Sequence, residues 1–241
     1  MRKRTQLQIW IGLVLLILLF SFLFFMDTGD IPEVQLAYSP TDQVEHLPLP
    51  IFPLALDREN VQGVIATIEK PQYVWREIRQ TRFWGDLYGS RSGQIWQSPT
   101  AMRLSWDNGE HMLFTPTHYY FWFLQNPAIQ RPNVLQAGES FTQMFDEFTG
   151  LFSVEQMLAR DASDILSVRQ GDLTLGDTTH FVIILSMEQG LFGLRDYYTI
   201  CAHTGLLLQM ESYDGETLVY RFETLALQLG EIESSVFTTG G

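Results

Sequence analysis

The chain has 241 residues, of which 46% are hydrophobic and 18% charged, with one cysteine and a formal net charge of -13. This composition is typical of an ordered globular protein and excludes disorder over most of the chain. The lone Cys201 excludes an internal disulfide framework and a cysteine-based zinc site within one chain. All 28 acidic residues follow residue 26, so nucleic acid and anionic lipid surfaces are poor partners for that part of the chain.

The N-terminal residues have the pattern of a membrane anchor. Residues 1–8 carry a basic cluster, and residues 9–26 contain no charge, which gives about 27 Å of apolar helix. The positive-inside rule therefore predicts a cytoplasmic tail at 1–8 and an extracytoplasmic main domain. A cleaved signal peptide is the alternative. No small-residue cleavage site or lipobox cysteine follows the apolar run, which favours an uncleaved single-pass anchor in the cell membrane.

A proline-rich linker and then a helix follow the predicted anchor. Residues 27–55 contain five prolines and few periodic apolar residues, a pattern typical of a semi-extended spacer. Residues 56–241 form the predicted extracytoplasmic domain. It begins with a predicted helix at about 57–69, because Asp57 can cap the first turn and apolar residues recur at helical spacing.

The rest of the domain alternates between strand-like and helical patterns. Residues 73–124 break into short β-prone runs, and Asn108-Gly109 predicts a hairpin whose type I′ turn would need positive φ at both residues. Helical spacing then returns, with Ser153 and Gln156 as a possible capping box. Further strands are predicted at about 165–172, 179–188, 193–201, 205–213 and 216–227. The pattern indicates antiparallel strands with two short helices inserted.

No group of residues in the sequence indicates catalysis or metal binding. The five histidines are scattered without metal-ligand spacing, and GxSxG, P-loop and GxGxxG motifs are absent. The adjacent Asp146 and Glu147 point in different directions on a helix and cannot share a substrate. We therefore predict a protein that is not an enzyme, with no cofactor and no metal.

An excess of aromatic residues on the predicted strands is the remaining signal. Aromatic residues make up 13% of the chain, and they can form an ordinary core between sheet and helices. The alternative is a sheet that curves around an apolar cavity able to accept acyl chains. The candidate lipid-binding residues of such a cavity are strand aromatics and two helix residues: Trp84, Trp96, Trp106, Phe114, Phe121, Ile65 and Ile68.

The order of these elements resembles the outer-membrane lipoprotein carrier (LolA-like) superfamily. The resemblance covers residues 57–237 and rests on strand and turn residues: Trp96, Pro99, Met102, Arg103, Gly109, Tyr120, Thr204, Gly205, Leu206, Asp214, Gly215, Tyr220, Phe222 and Phe237. It implies an α+β fold, in which a curved antiparallel sheet forms an unclosed β-barrel and helices plug its concave side. In this chain one N-terminal transmembrane helix would precede that fold.

The resemblance also implies a function in binding. Members of this superfamily carry lipoprotein acyl chains, sense envelope stress or bind partners in sporulation and germination, and this chain looks most like the Gram-positive members. We therefore expect a membrane-anchored extracytoplasmic module that holds a lipid or lipidated peptide, such as a lipoprotein acyl chain, in an apolar cavity. The alternative is a protein-interaction or regulatory module with a self-filled core, which binds an envelope or spore-cortex protein. No nucleic acid partner is expected.

Overall fold

Eleven strands form one antiparallel sheet in the computed structural model, which describes residues 55–124, 132–136, 140–189 and 193–238. The order of the strands in the sheet is β6-β5-β4-β3-β2-β1-β11-β10-β9-β8-β7. Strands that follow each other in sequence therefore pair, except β6 and β7, and the β1–β11 pair joins the two halves of the sheet. The strands are β1 (Val74–Trp84), β2 (Leu87–Ser98), β3 (Ala101–Trp106), β4 (Glu110–Phe114), β5 (His118–Phe123), β6 (Asn133–Val134), β7 (Ile165–Leu175), β8 (Thr178–Gln189), β9 (Leu194–Cys201), β10 (Leu207–Asp214) and β11 (Thr217–Leu229).

In the described part of the chain, three short α-helices accompany the sheet: α1 (Val61–Thr67), α2 (Phe141–Thr149) and α3 (Val154–Leu158). The helix predicted at 57–69 is therefore present but shorter. It begins later because the Asp57 carboxylate accepts the N–H groups of Glu59 and Asn60, both at 2.9 Å, and holds these residues in a turn. None of the described helices is long and apolar enough to cross a membrane. The predicted tail at 1–8, the predicted span at 9–26 and all of the predicted linker except residue 55 lie outside the described residues.

The two helices predicted after the first group of strands are confirmed as α2 and α3. The predicted capping box is also present: Ser153 Oγ accepts the Gln156 N–H at 3.2 Å, and Gln156 Oε1 accepts the Ser153 N–H at 3.3 Å. These two bonds satisfy backbone donors that the first turn of α3 leaves without a helical partner.

The predicted hairpin at Asn108-Gly109 is present and connects β3 to β4. The prediction of a type I′ turn is wrong. Gly109 has a φ of +80°, whereas none of the described non-glycine residues has a positive φ. Asn108 instead accepts the Glu110 N–H on its side-chain oxygen at 3.0 Å. The Gly109 N–H donates to the Trp106 carbonyl at 3.0 Å. Only the glycine takes the left-handed conformation, for which it has no steric penalty.

The sheet is unclosed and strongly curved. Its end strands β6 and β7 do not pair with each other. Strand β7 nevertheless contacts β11, although three strands separate them in the sheet. A flat sheet would hold them about 19 Å apart. The architecture agrees with the predicted α+β class and with helices packed on one face of an antiparallel sheet.

The main hydrophobic core lies between the helices and the face of the sheet that they cover, which we call the helix face. From the helices, Ile65 and Phe145 are buried in it, and from the sheet Phe114 and Phe222. We call the opposite face of the sheet the outer face. A smaller buried cluster is separate from the main core and consists of Val74, Val182, Cys201, Leu206 and Leu208. Burial of this apolar surface supplies most of the stabilisation of the fold.

Candidate ligand cavity

A cavity of about 600 Å³ lies between the helices and the helix face of the sheet. Helices α2 and α3 with their connection form one wall, and β1, β2, β3, β10 and β11 contribute to the other. Its buried apolar lining consists of Met102, Phe145, Leu151, Val154, Leu206, Leu207 and Phe222. Its polar and charged lining consists of Lys70, Arg76, Gln97, Ser140, Thr142, Gln143, Asp146, Glu147, Ser153, Glu155 and Gln156. The cavity therefore offers both apolar and charged surface.

Helix α2 is attached to the sheet at its C-terminal end. The buried Gln80 of β1 donates from Nε2 to the Gly150 carbonyl at 3.3 Å and to the Tyr220 hydroxyl at 3.1 Å. Arg91 of β2 donates from Nε to Gln80 Oε1 at 2.7 Å and from Nη2 to the Thr149 carbonyl at 3.3 Å. These bonds satisfy carbonyls that the end of a helix leaves without partners, and they fix the position of one cavity wall.

Helix α3 is attached to the segments that surround it. Lys70, in the segment after α1, forms an ion pair with Glu155 of α3. Gln62 of α1 donates from Nε2 to the Arg160 carbonyl just after α3, at 3.1 Å. Lys70 and Glu155 both line the cavity, so this pair forms part of its rim. Burial lowers the pKa of Lys70.

Arg76 points from β1 into the cavity, on the same strand face as the buried Ile78 and Gln80. Its Nη1 donates to the Leu207 carbonyl at 3.2 Å. This carbonyl is accessible because a bulge at Leu208 interrupts the ladder between β10 and β9. The Nε of Arg76 is buried without a hydrogen-bond partner, and its guanidinium forms no ion pair with a described residue. Burial lowers the pKa of Arg76 to about 10, so the group is charged at neutral pH.

Asp146 of α2 is the carboxylate whose charge acts most on Arg76. Burial raises the pKa of Asp146 to about 6, although a hydrogen bond from Ser153 and the charges of Arg76 and Lys70 act in the opposite direction. A carboxylate in a close pair with arginine has a lowered pKa. The charge of Asp146 thus acts on Arg76, but none of the ion pairs among the described residues joins the two side chains.

None of the seven residues predicted to line a lipid cavity lines this one. Trp84 is 61% exposed at the end of β1. Trp96 lies on the outer face, with the Arg103 guanidinium 5.7 Å from its ring centroid. Trp106 is buried on the helix face, and the guanidinium of Arg91 stacks on it at 3.8 Å.

The other four predicted residues belong to the packed core. Phe114 is fully buried, and Phe121 packs edge-on against it with ring centroids 6.0 Å apart. Ile65 is fully buried, and Ile68 is partly buried against the same core. Contact with a ligand stays a prediction for all seven residues.

The charged cavity residues Arg76, Lys70 and Asp146 were not predicted from the sequence to line a site. A usable signal was present for Arg76, because it shares strand parity with Ile78 and Gln80, and a charged residue at an inward position of a strand is unusual. No such signal marks Lys70 or Asp146. Among the described residues, no group of three or more His, Cys, Asp or Glu side chains could hold a metal ion.

No protein-family model and no curated protein matches the chain. Solved structures do resemble it at low identity. MucB is 14% identical with a TM-score of 0.45 over 76% of this chain, which spans 62% of the length of MucB. A LolA superfamily protein from Nitrosomonas europaea is 11% identical with a TM-score of 0.34, over 76% of this chain and 98% of that one. A putative outer membrane lipoprotein-sorting protein domain from Vibrio parahaemolyticus is 12% identical with a TM-score of 0.32, over 75% of this chain and 95% of that one. At scores this low, these matches carry no argument about function.

Proposed function

We propose that this protein is a membrane-anchored extracytoplasmic module that holds a lipid or a lipidated peptide in the cavity between its helices and its sheet. The anchor is the apolar segment at 9–26. The observation that supports this proposal is the cavity of about 600 Å³, a volume within the range of roughly 300–1,000 Å³ that is typical of small-molecule sites. The buried Phe145 and Phe222 line it from the helix side and the sheet side.

The test is lipid extraction and mass spectrometry of the full-length chain purified from its native membrane. An anchor retains lipid by itself, so the informative quantity is the difference between the wild-type chain and a variant whose cavity is filled. Met102→Trp is suitable, because Met102 lines the cavity from β3. The substitution leaves the anchor segment unchanged. We expect the wild-type chain to carry a lipid species that the variant lacks. Identical lipid content in the two proteins would contradict the proposal.

A protein-interaction module of the cell envelope or spore is the second candidate. A cluster of four aromatic rings supports it: Phe114, Tyr119, Phe121 and Phe148, with ring centroids 5.1–6.1 Å apart. This cluster fills part of the helix face with the protein's own side chains. The neighbouring Phe123 and Leu124 are exposed and offer apolar surface to a partner. If the wild-type chain and the cavity-filled variant had the same lipid content, this second function would explain that result.

A further inference from the structure

We propose that Arg76 binds the anionic head group, a carboxylate or a phosphate, of an amphiphile whose chain lies against the apolar wall of the cavity. This inference rests on the proposed function, because it requires a ligand in the cavity. It adds the chemical class of that ligand and the residue that selects it.

The first support is the lack of partners around the guanidinium. Arginine has five N–H donors, and among the described residues the one acceptor for Arg76 is the Leu207 carbonyl. Its Nε is buried and has no hydrogen-bond partner among these described residues. Buried polar groups in proteins are normally hydrogen-bonded, and buried charges are normally paired. An anion in the cavity would supply a hydrogen-bond acceptor for Nε and a negative charge to pair with the guanidinium.

The second support is that none of the carboxylates which line the cavity forms an ion pair with Arg76. Glu155 forms its ion pair with Lys70. Glu147 is exposed. Asp146 acts on Arg76 through its charge, but it forms no ion pair with the guanidinium among the described residues. None of these carboxylates therefore forms an ion pair with Arg76, whose guanidinium can pair with the anion of a ligand.

The third support is the position of Arg76 next to the apolar wall. The carbonyl that accepts its hydrogen bond belongs to Leu207, whose side chain is buried in that wall together with Phe222 and Phe145. A head group on Arg76 would thus place the attached chain directly against apolar surface. The planar guanidinium also matches the two oxygens of a carboxylate or phosphate, which it can bind with two parallel hydrogen bonds.

The experiment uses the full-length chain in nanodiscs of phosphatidylcholine and three photo-crosslinking probes that share one palmitoyl chain with a diazirine. The probes are palmitate, the lysophosphatidate and the neutral monoacylglycerol. Crosslinked peptides are located by mass spectrometry. In the wild-type chain we expect an anionic probe to label cavity peptides at about ten-fold lower concentration than the neutral probe, as expected for a charge-assisted hydrogen bond.

The matched variants are Arg76→Gln, Arg76→Lys and Arg79→Gln. Arg79 is exposed on the opposite face of the same strand. Arg76→Gln should lose the preference for the anionic probe and keep the labelling by the neutral one. Arg79→Gln should behave as the wild-type chain, and Arg76→Lys should retain part of the preference because it retains the charge.

Either anionic probe supports the inference, and the stronger of the two identifies the head group as a carboxylate or a phosphate. Equal labelling by charged and neutral probes in the wild-type chain would overturn it, while the proposed lipid-binding function would stand. If no probe labels the cavity, both proposals fail. The comparison of probes in the wild-type chain does not depend on the folding of any variant.

Discussion

The Arg160 guanidinium and the Asp196 carboxylate form an ion pair, with Nη1 2.9 Å from Oδ2, that attaches the end of α3 to β9. Asp196 is fully buried. Its other oxygen accepts the Ser212 hydroxyl at 2.7 Å, and Arg160 Nη1 also donates to the Tyr198 hydroxyl at 3.1 Å. The pair therefore belongs to a hydrogen-bonded network beneath the helices, on the strands next to the cavity wall.

The first prediction concerns this network. Arg160→Ala should lower the free energy of unfolding by about 3–5 kcal/mol, because it removes the cation that balances a buried carboxylate. Chemical denaturation followed by tryptophan fluorescence measures this change. The control is Arg221→Ala, which breaks a more exposed pair with Glu211 and should cost about 1 kcal/mol or less. Equal losses of unfolding free energy in the two variants would show that the Arg160–Asp196 pair stabilises the fold no more than the exposed pair does.

The second prediction concerns the packing of α1. Ile65 is fully buried against the sheet, so Ile65→Asp would bury a charge without a counterion. We expect a loss of several kcal/mol, comparable with the ~5–15 kcal/mol total stability of a typical domain. Ala66→Asp is the control, because Ala66 is next to Ile65 on the same helix but is exposed. Circular dichroism melting curves distinguish the two, and an unchanged melting temperature for Ile65→Asp would contradict the packing.

The third prediction concerns pH. Burial raises the pKa of Asp146 to about 6 from an ordinary value of 3.8, although the hydrogen bond from Ser153 and the charges of Arg76 and Lys70 act to lower it. Between these two pH values the folded chain binds more protons than the unfolded chain. This contribution to stability is therefore fully present below about pH 4 and is lost as the pH rises through about 6.

The variant Asp146→Asn removes this titrating carboxyl group from α2. We expect it to raise the free energy of unfolding at pH 7 by about 1–2 kcal/mol, with allowance for the partial exposure of the side chain. At pH 4 the difference from the wild-type chain should be small. Denaturation curves at the two pH values check this, and a wild-type advantage at pH 7 would show that the charge of Asp146 stabilises the fold.

Most of the sheet could be predicted because strand periodicity and turn residues are local signals. The five strands of the second half were placed within a few residues of β7 to β11. The type of the β3–β4 turn could not be predicted in the same way, because the side chain of Asn108 competes with the backbone for a hydrogen bond and changes the preferred turn.

The cavity residues were harder to predict than the fold. Bulky strand aromatics such as Trp106 and Phe114 were expected to line a cavity, but both are used in packing, against Arg91 and against other rings. Large side chains fill space efficiently, so their presence does not indicate a void. The void depends on the positions of α2 and α3 over the sheet, and these are determined by long-range bonds such as that from Gln80 to Gly150.

The fourth prediction concerns the aromatic cluster. Phe121→Ala removes a ring that packs on Phe114, Tyr119 and Phe148. Since Phe121 is partly exposed, we expect a loss of about 2–3 kcal/mol, somewhat below the ~3–5 kcal/mol typical of a fully buried phenylalanine. The content of bound lipid should stay the same, because Phe121 does not line the cavity. A loss of lipid without a loss of stability would instead place the ligand at this cluster.

The last prediction compares two methionines of the same core. Met102 of β3 and Met112 of β4 are both buried on the helix face, but Met102 lines the cavity and Met112 does not. Met112→Trp should lower the free energy of unfolding by about 1–3 kcal/mol, because a larger side chain in a packed region forces its neighbours to move. Met102→Trp should cost less than about 1 kcal/mol, since the added volume can enter the cavity. Denaturation curves of the two variants test this directly, and the lipid content of each variant is measured as well. If Met102→Trp is as destabilising as Met112→Trp, the space beside Met102 is not available to a side chain or to a ligand.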